Sequence, residues 1–187
     1  MDDLGAALFN PYEGDGSTVA NADNVSYTFT DNSGVQRTAS FIDSCGGHST
    51  PVMAGSATYH YHGWSSYLTQ AAGDVGTAAS HIIGVALDGY PIYGDRDVNG
   101  ALVDVSRLDA CTGITSPTPE FPNGVYHYVL PSGAASRTAQ SAPRCYRGTV
   151  SSALLTQISA NIGYCWGAPA NLSAVAATGT VRRRVGG

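Results

Sequence analysis

The chain has 187 residues, of which 43% are hydrophobic and only 12% are charged, a balance that favours one folded domain over a disordered chain. Its nine basic residues are all arginine and its net charge is −5, so a nucleic-acid partner is not expected. No stretch approaches the roughly 18–20 apolar residues of a membrane span. We predict a single domain over residues 1–187, with 1–20 and 178–187 peripheral or flexible.

Short apolar runs separated by glycine and proline are typical of a β-rich chain. In chain order, strands are predicted at 25–31, 35–42, 57–63, 80–87, 90–94, 101–105 and 124–131. The turn sequence DNSG at 31–34 joins the first two strands into a hairpin. Helical spacing of apolar residues predicts one helix in 151–163 and a weaker one in 64–73. The expected fold is α+β, mainly antiparallel and sandwich- or barrel-like, with one or two short helices.

An approximate internal repeat relates residues 41–63 to residues 107–131. Both segments contain Asp-x-Cys-x-Gly and then, after a similar gap, Tyr-His-Tyr. Among the differences between the copies, two involve histidine: His48 corresponds to Ile114, and His62 corresponds to Val129. We expect two related halves that pair across a pseudo-two-fold axis and bring the Tyr-His-Tyr strands together. A metal site in such a pair would be asymmetric and centred on the first copy.

The histidines suggest a metal site. The chain has five, at His48, His60, His62, His81 and His127. In a strand, His60 and His62 point to the same face about 6.6–7 Å apart and can converge on one ion. The predicted metal ligands are His60, His62, His81 and His127, and possible additional ligands or orienting groups are His48, Asp88, Tyr59 and Tyr61. Imidazole suits several metals, of which copper is our first choice and zinc the second. Alternatively, the histidines are hydrogen-bonded sheet residues.

The four cysteines, Cys45, Cys111, Cys145 and Cys165, allow three pairings if all are bridged. None forms Cys-x-x-Cys, so a structural zinc site is not expected. Two disulfides in an exported domain fit the low charge best, and a cytosolic protein with four thiols is the alternative. The first residues are acidic where a signal peptide would be basic, so we expect any export signal to lie outside this sequence.

Five motifs resemble the YHYH family of mostly exported proteins: DSCGGH at 43–48, YHYHG at 59–63, SHIIGVALDGYPIYG at 80–94, LDACTG at 108–113 and YHYV at 126–129. Many relatives have a second Tyr-His-Tyr-His, where this chain has Val129. Relatives also commonly carry a cysteine after the first motif, where this chain reads WSSYLTQ. With that departure, the disulfide that the resemblance implies is Cys111–Cys145. The resemblance implies the fold unit and the location of the site rather than a reaction.

The leading functional hypothesis is a secreted or extracytoplasmic metal-binding protein. Its site would hold copper, or else zinc, in a metal-dependent oxidoreductase or a copper-binding or delivery protein. One alternative is a metal-free, disulfide-stabilised module that binds carbohydrate or protein, and another is a zinc-dependent hydrolase. No catalytic residue is assigned, and the expected partners are a metal ion and at most a small molecule.

Overall fold

Short strands in two small sheets carry most of the regular structure in the computed structural model. The structure describes residues 6–13, 16–22, 26–40, 42–49, 59–154, 156 and 181–182. In chain order the elements are β1 (Ala7–Leu8), β2 (Ser26–Thr30), β3 (Gln36–Ser40), β4 (Gly47–Ser49), β5 (Tyr59–Tyr61), α1 (Ser66–Ala71), β6 (Ile82–Val85), β7 (Pro91–Tyr93), a 3₁₀-helix (Val105–Arg107), β8 (Gly113–Ser116), β9 (Val125–Val129), a second 3₁₀-helix (Gly133–Arg137), β10 (Cys145–Tyr146) and β11 (Val181–Arg182).

Both larger sheets are mixed. The first has the order β1-β5-β4, with β1 parallel and β4 antiparallel to β5. The second has the order β6-β7-β9-β8, with β7 parallel to β9 and the other pairs antiparallel. The remaining strands form the pairs β2-β3 and β10-β11. The β-rich α+β class is therefore confirmed, but two of the pairings are parallel and the described strands close no barrel.

Asp31 organises the predicted β2–β3 hairpin. Its Oδ1 accepts the backbone N–H groups of Ser33 and Val35 at 2.9 and 3.0 Å. Gly34 completes the turn with a φ of 78°, which glycine adopts without steric cost. The other carboxylate oxygen of Asp31 pairs with Arg37 Nε at 2.9 Å. The DNSG turn thus forms as predicted from sequence.

Most predicted strands are present, but the segment 101–105 is not a strand. Leu102 forms only an isolated bridge with Arg96, and Asp104 caps the following 3₁₀-helix by accepting the Ser106 N–H at 2.9 Å. The polar cap ends the extended segment before a ladder can form. The structure adds β1, β4 and β8, which are too short to show a period-two pattern.

The two predicted helices have different outcomes. Helix α1 lies inside the predicted segment 64–73. Its N-cap is Ser65, whose side chain accepts the Tyr67 N–H. Residues 152–154 and 156 are helical, and the rest of the predicted helix over 151–163 lies outside the described residues. Within the described part of the chain, no helix is long and apolar enough to cross a membrane.

The first copy of the repeat is held by Asp43. Its Oδ1 accepts the backbone N–H groups of Cys45 and Gly47 at 2.8 and 3.3 Å. The Tyr59 hydroxyl donates to the same carboxylate at 2.9 and 3.0 Å. Gly46 lies between these contacts in a left-handed conformation, with a φ of 86°. One carboxylate therefore joins the turn before β4 to the first residue of β5.

Asp109 performs the same task in the second copy. Its Oδ1 accepts the N–H groups of Cys111 and Gly113 at 2.8 and 3.0 Å, and the Tyr126 hydroxyl donates to its Oδ2 at 3.0 Å. Thr112 occupies the position of the left-handed glycine, with a φ of 67°. The same residue positions make these contacts in the first copy, so the internal repeat predicted from sequence is also a structural repeat.

The structural repeat extends further upstream than the sequence match. Strand β1 lies parallel to β5, and strand β7 lies parallel to β9 in the other copy. The loops that follow these parallel strands also agree: Glu13 N–H donates to the Thr18 carbonyl at 2.8 Å, and Asp97 N–H donates to the Ala101 carbonyl at 2.8 Å. Each copy is therefore a three-stranded unit, and the β2–β3 hairpin interrupts only the first.

The two Tyr-His-Tyr strands, β5 and β9, lie in separate sheets. The predicted pairing of the halves therefore does not place these strands side by side in one sheet. Instead, the copies meet at a core that includes Tyr128 and Leu130, both with no exposed surface. Leu8 and Trp64 from the first copy pack against this cluster. Apolar packing, rather than strand pairing, joins the two halves.

The described part of the predicted peripheral segment 1–20 belongs to the fold. Strand β1 joins the first sheet, and Phe9 and Ala20 are buried. The strand that completes the first copy therefore lies within this segment. Of the other predicted peripheral segment, 178–187, only 181–182 are described, as β11.

The disulfide Cys111–Cys145, which the family resemblance implied, is present and is part of the buried core. Cys45 has no disulfide partner among the described residues, and Cys165 lies outside them. The described structure therefore contains one of the two disulfides predicted for an exported domain.

Removing this disulfide should destabilise the protein. The bond closes a loop with a sequence separation of 34, and loop closure of this length stabilises a fold by about 2–4 kcal/mol. We expect Cys111→Ala/Cys145→Ala to lower the free energy of unfolding by that amount in urea denaturation. Cys45→Ala serves as the control, with an expected change below about 1 kcal/mol. Equal losses in the two variants would contradict the prediction.

Candidate metal site

Three histidines of the first copy meet on one face of the first sheet. In the β4–β5 ladder, His48 lies directly opposite His60. His62 follows β5 and shares the face of His60, because side chains two residues apart in an extended segment point the same way. The Asp43 contacts fix the register of these strands, and this register brings His48 next to the predicted ligand pair, His60 and His62.

The ring nitrogens of these histidines are close enough to share one ion. Nε2 of His62 lies 3.0 Å from Nε2 of His48 and 3.0 Å from Nε2 of His60, and each residue offers a ligand atom within 4.8 Å of the others. A metal with nitrogen ligands at about 2.0–2.1 Å places neighbouring ligand atoms about 2.9–3.3 Å apart for angles between 90° and tetrahedral. The two spacings from His62 to its neighbours fall in that range.

His62 is oriented by the backbone of the segment after β1. Its Nδ1 lies 2.6 Å from the carbonyl oxygen of Asn10, so Nδ1 carries the proton and donates it. In the neutral ring, Nε2 then presents one lone pair to the nitrogens of both His48 and His60. A single lone pair accepts one good hydrogen bond, whereas a cation can engage the lone pairs of all three rings. A carbonyl that orients a histidine in this way is typical of metal ligands.

Burial keeps the rings of His48 and His62 neutral. His60 and His62 have no exposed surface, and His48 is 8% exposed. Desolvation, followed by the charges of His60 and His62, lowers the pKa of His48 to about 3. Desolvation also lowers the pKa of His62 to about 4, although its bond to Asn10 acts in the opposite direction. At neutral pH both imidazoles are therefore in the form that binds metals.

The walls of the site are apolar and closely packed. The Phe9 ring stacks on His60 with centroids 4.2 Å apart and meets His62 edge-on at 6.1 Å. The Ser141 hydroxyl donates to the His62 carbonyl at 2.8 Å and links the site to the second half. Gly47 permits the close approach of the strands, since a Cβ there would lie 2.5 Å from the His60 carbonyl oxygen.

The sequence model of the YHYH protein family matches residues 5–106, which is more than half of the chain. The chain belongs to the YHYH family. The matched YHYH region contains the whole first copy with its three clustered histidines, together with β6 and β7. No curated protein and no solved structure gives a significant match.

Two of the predicted ligands lie outside the cluster in this YHYH protein. His81 precedes β6 with its side chain 44% exposed, and its Nδ1 lies 2.7 Å from Oε1 of Glu120. His127 lies on β9, donates from Nδ1 to the Val125 carbonyl at 3.0 Å and packs edge-on against Tyr93. The structure does not bring either one to His60, because both are attached to the second sheet.

The other candidate residues have structural contacts. Asp88 accepts the Tyr128 hydroxyl at 2.6 Å in the second half. Tyr59 donates to Asp43, and its burial, with the Asp43 carboxylate next, raises the pKa of its phenol well above the ordinary value. Tyr61 is buried and packs edge-on against Tyr59. Asp88 does not belong to the histidine cluster, and the side chains of Tyr59 and Tyr61 alternate with that of His60 along β5 and so point to the other face.

The second copy has the same backbone but lacks the ligands. Ile114 pairs with His127 as His48 pairs with His60, and Val129 occupies the position of His62. The predicted asymmetry between the copies is therefore present at the level of side chains. His48 takes the third position of the cluster, which the sequence reasoning had listed only as a possible additional group.

Sequence reasoning missed Phe9 and Asn10. Asn10 acts through its backbone carbonyl, which leaves no signature in side-chain patterns. Phe9 directly follows β1, a two-residue strand whose parallel partner is about fifty residues away in sequence. The sequence did contain a signal for His48. Only the first copy has a histidine at the positions of His48 and His62, and both of these histidines belong to the cluster.

The metal-free protein should lose stability as the pH falls. Unfolded histidines take up protons below a pKa of about 6.5, whereas the folded pKa values of His48 and His62 are about 3 and about 4. Between these limits the unfolded state binds more protons, so the free energy of unfolding decreases with decreasing pH. Urea denaturation at several pH values between 7 and 4 measures this slope. We expect a shallower slope for His48→Ile/His62→Val, and equal slopes would contradict the assignment.

Proposed function

We propose that this YHYH protein is a secreted or extracytoplasmic metal-binding protein, in which His48, His60 and His62 hold one copper ion. The observation that carries the proposal is the convergence of three buried histidines, each of which offers a ring nitrogen within 4.8 Å of the others. Zinc is the second choice. Export is part of the proposal, because the disulfide Cys111–Cys145 suits an oxidising compartment.

Comparison of the two copies supports metal binding over a purely structural role. The second copy builds the same turn, hairpin and parallel strand with Ile114 and Val129 in place of His48 and His62. The fold therefore does not require histidine at these positions. Burying imidazoles costs desolvation energy that aliphatic side chains avoid. A bound ion supplies a reason for keeping three of them together.

The donor set favours copper. The described residues contribute three imidazoles to the cluster, without a carboxylate or thiolate. For one set of nitrogen ligands, divalent copper binds more tightly than zinc. The absence of exposed surface on His60 and His62 favours binding or delivery of the ion over catalysis on a large substrate.

Exchanging the first copy's residues for those of the second should abolish metal binding and leave the fold intact. We expect the native protein to bind about one ion per chain. His48→Ile/His62→Val should weaken the affinity by at least about 100-fold, because one histidine ligand remains. Mass spectrometry of the metal content after reconstitution with Cu(II) or Zn(II) measures binding, and circular dichroism verifies the fold. Substoichiometric metal in the native protein would favour the metal-free binding module instead.

The reverse exchange should create a second site. Ile114→His/Val129→His places two histidines beside His127 in the matching backbone, so the stoichiometry should rise from about one to about two ions per chain. Ile114→Asn/Val129→Asn is the control, with similar polarity and no imidazole. Binding of a single ion by the histidine variant, with its fold verified, would show that the shared backbone does not determine the ligand geometry.

A further inference from the structure

We propose that the three-histidine site selects monovalent copper, so that the cargo of the protein is Cu(I) rather than Cu(II). This inference rests on the proposed metal-binding function and adds the oxidation state. Its basis is the combination of neutral ligands, three of them among the described residues, and restricted access of water.

The charge of the site favours the monovalent ion. Three imidazoles bring no negative charge, and no carboxylate or thiolate among the described residues belongs to the cluster. The acidic group that acts on His48 is Asp43, whose carboxylate already accepts the Tyr59 hydroxyl and the Cys45 N–H. The desolvation cost of an ion scales with the square of its charge, so a divalent ion costs about four times as much as a monovalent one.

The coordination number favours Cu(I) as well. Divalent copper prefers square-planar or tetragonal shells, which need at least a fourth ligand, and zinc usually takes four ligands. Monovalent copper has a filled d shell, imposes no fixed geometry and is stable with three ligands. The described residues supply three nitrogens, and little of their surface can meet a water that would become the fourth ligand. His60 and His62 have no exposed surface, and His48 is 8% exposed.

Phe9 covers the site. Its ring, 5% exposed, stacks on His60 at a centroid distance of 4.2 Å and an angle of 26°. The Phe9 N–H donates to the Tyr61 carbonyl at 2.8 Å, which fixes the ring over the ligands. The next residue, Asn10, orients His62 through its carbonyl. One short segment therefore excludes water from one ligand and holds another in place.

Anaerobic competition against the chromophoric Cu(I) chelator bicinchoninate, together with titrations of Cu(II) and Zn(II), tests the proposal on the native protein. We expect the affinity for Cu(I) to exceed that for Cu(II) by at least about 100-fold, and the loaded protein to stay silent in electron paramagnetic resonance in air. If none of the three ions binds, the proposed function itself is overturned. If Cu(II) or Zn(II) binds as tightly as Cu(I), metal binding stands and the preference for Cu(I) is overturned.

Variants of Phe9 test the cause of the preference. Phe9→Ser should admit water as a fourth ligand and lower the ratio of Cu(I) to Cu(II) affinity by at least about tenfold, with a Cu(II) resonance signal in air. Phe9→Leu keeps an apolar cover and should retain the native ratio within about threefold. An unchanged ratio in folded Phe9→Ser would overturn the role of the cover. If Phe9→Ser does not fold, the native measurement and Phe9→Leu decide.

Discussion

The carboxylate of Asp43 is the constraint on which the site depends. It binds the turn before β4 through the Cys45 and Gly47 N–H groups and binds the start of β5 through Tyr59. With both ends of the segment attached to one side chain, the two strands meet in a single register. A slip of one residue would turn the histidines to the opposite face. The cluster is thus a consequence of a hydrogen-bonded turn that contains no histidine.

The two faces of β5 have separate tasks. The tyrosine face maintains the fold, since Tyr59 donates to Asp43 and packs on Tyr61. In the second copy, Tyr126 makes both contacts, with Asp109 and Tyr128. The histidine face is free to vary, as the aliphatic residues of the second copy show. Alternation along a strand makes this separation possible. A duplicated unit can therefore keep one backbone and differ in chemistry.

Much of this arrangement was predictable from the sequence. Alternation placed His60 and His62 on one face, and the mismatch of His48 with Ile114 marked the first copy as the chemical one. The errors concern pairing between distant segments. His127 was expected beside His60 because equivalent strands were assumed to meet, whereas each lies at the centre of its own sheet. Local patterns do not encode which strands become neighbours, and the two residues of β1 show no periodicity from which a parallel partner could be predicted.

Strand β1 and the segment after it are coupled closely to the histidine site. Two residues of parallel ladder are a weak attachment by themselves. The same segment, however, stacks Phe9 on His60, and its Asn10 carbonyl accepts the His62 Nδ1–H. The position of this segment and that of the ligands therefore depend on each other. An ion bound only in the folded state would stabilise all three strands together by mass action. The bound ion would then stabilise the sheet that positions its ligands. In the second copy, Ile114 and Val129 occupy the corresponding positions, and apolar packing stabilises the sheet instead.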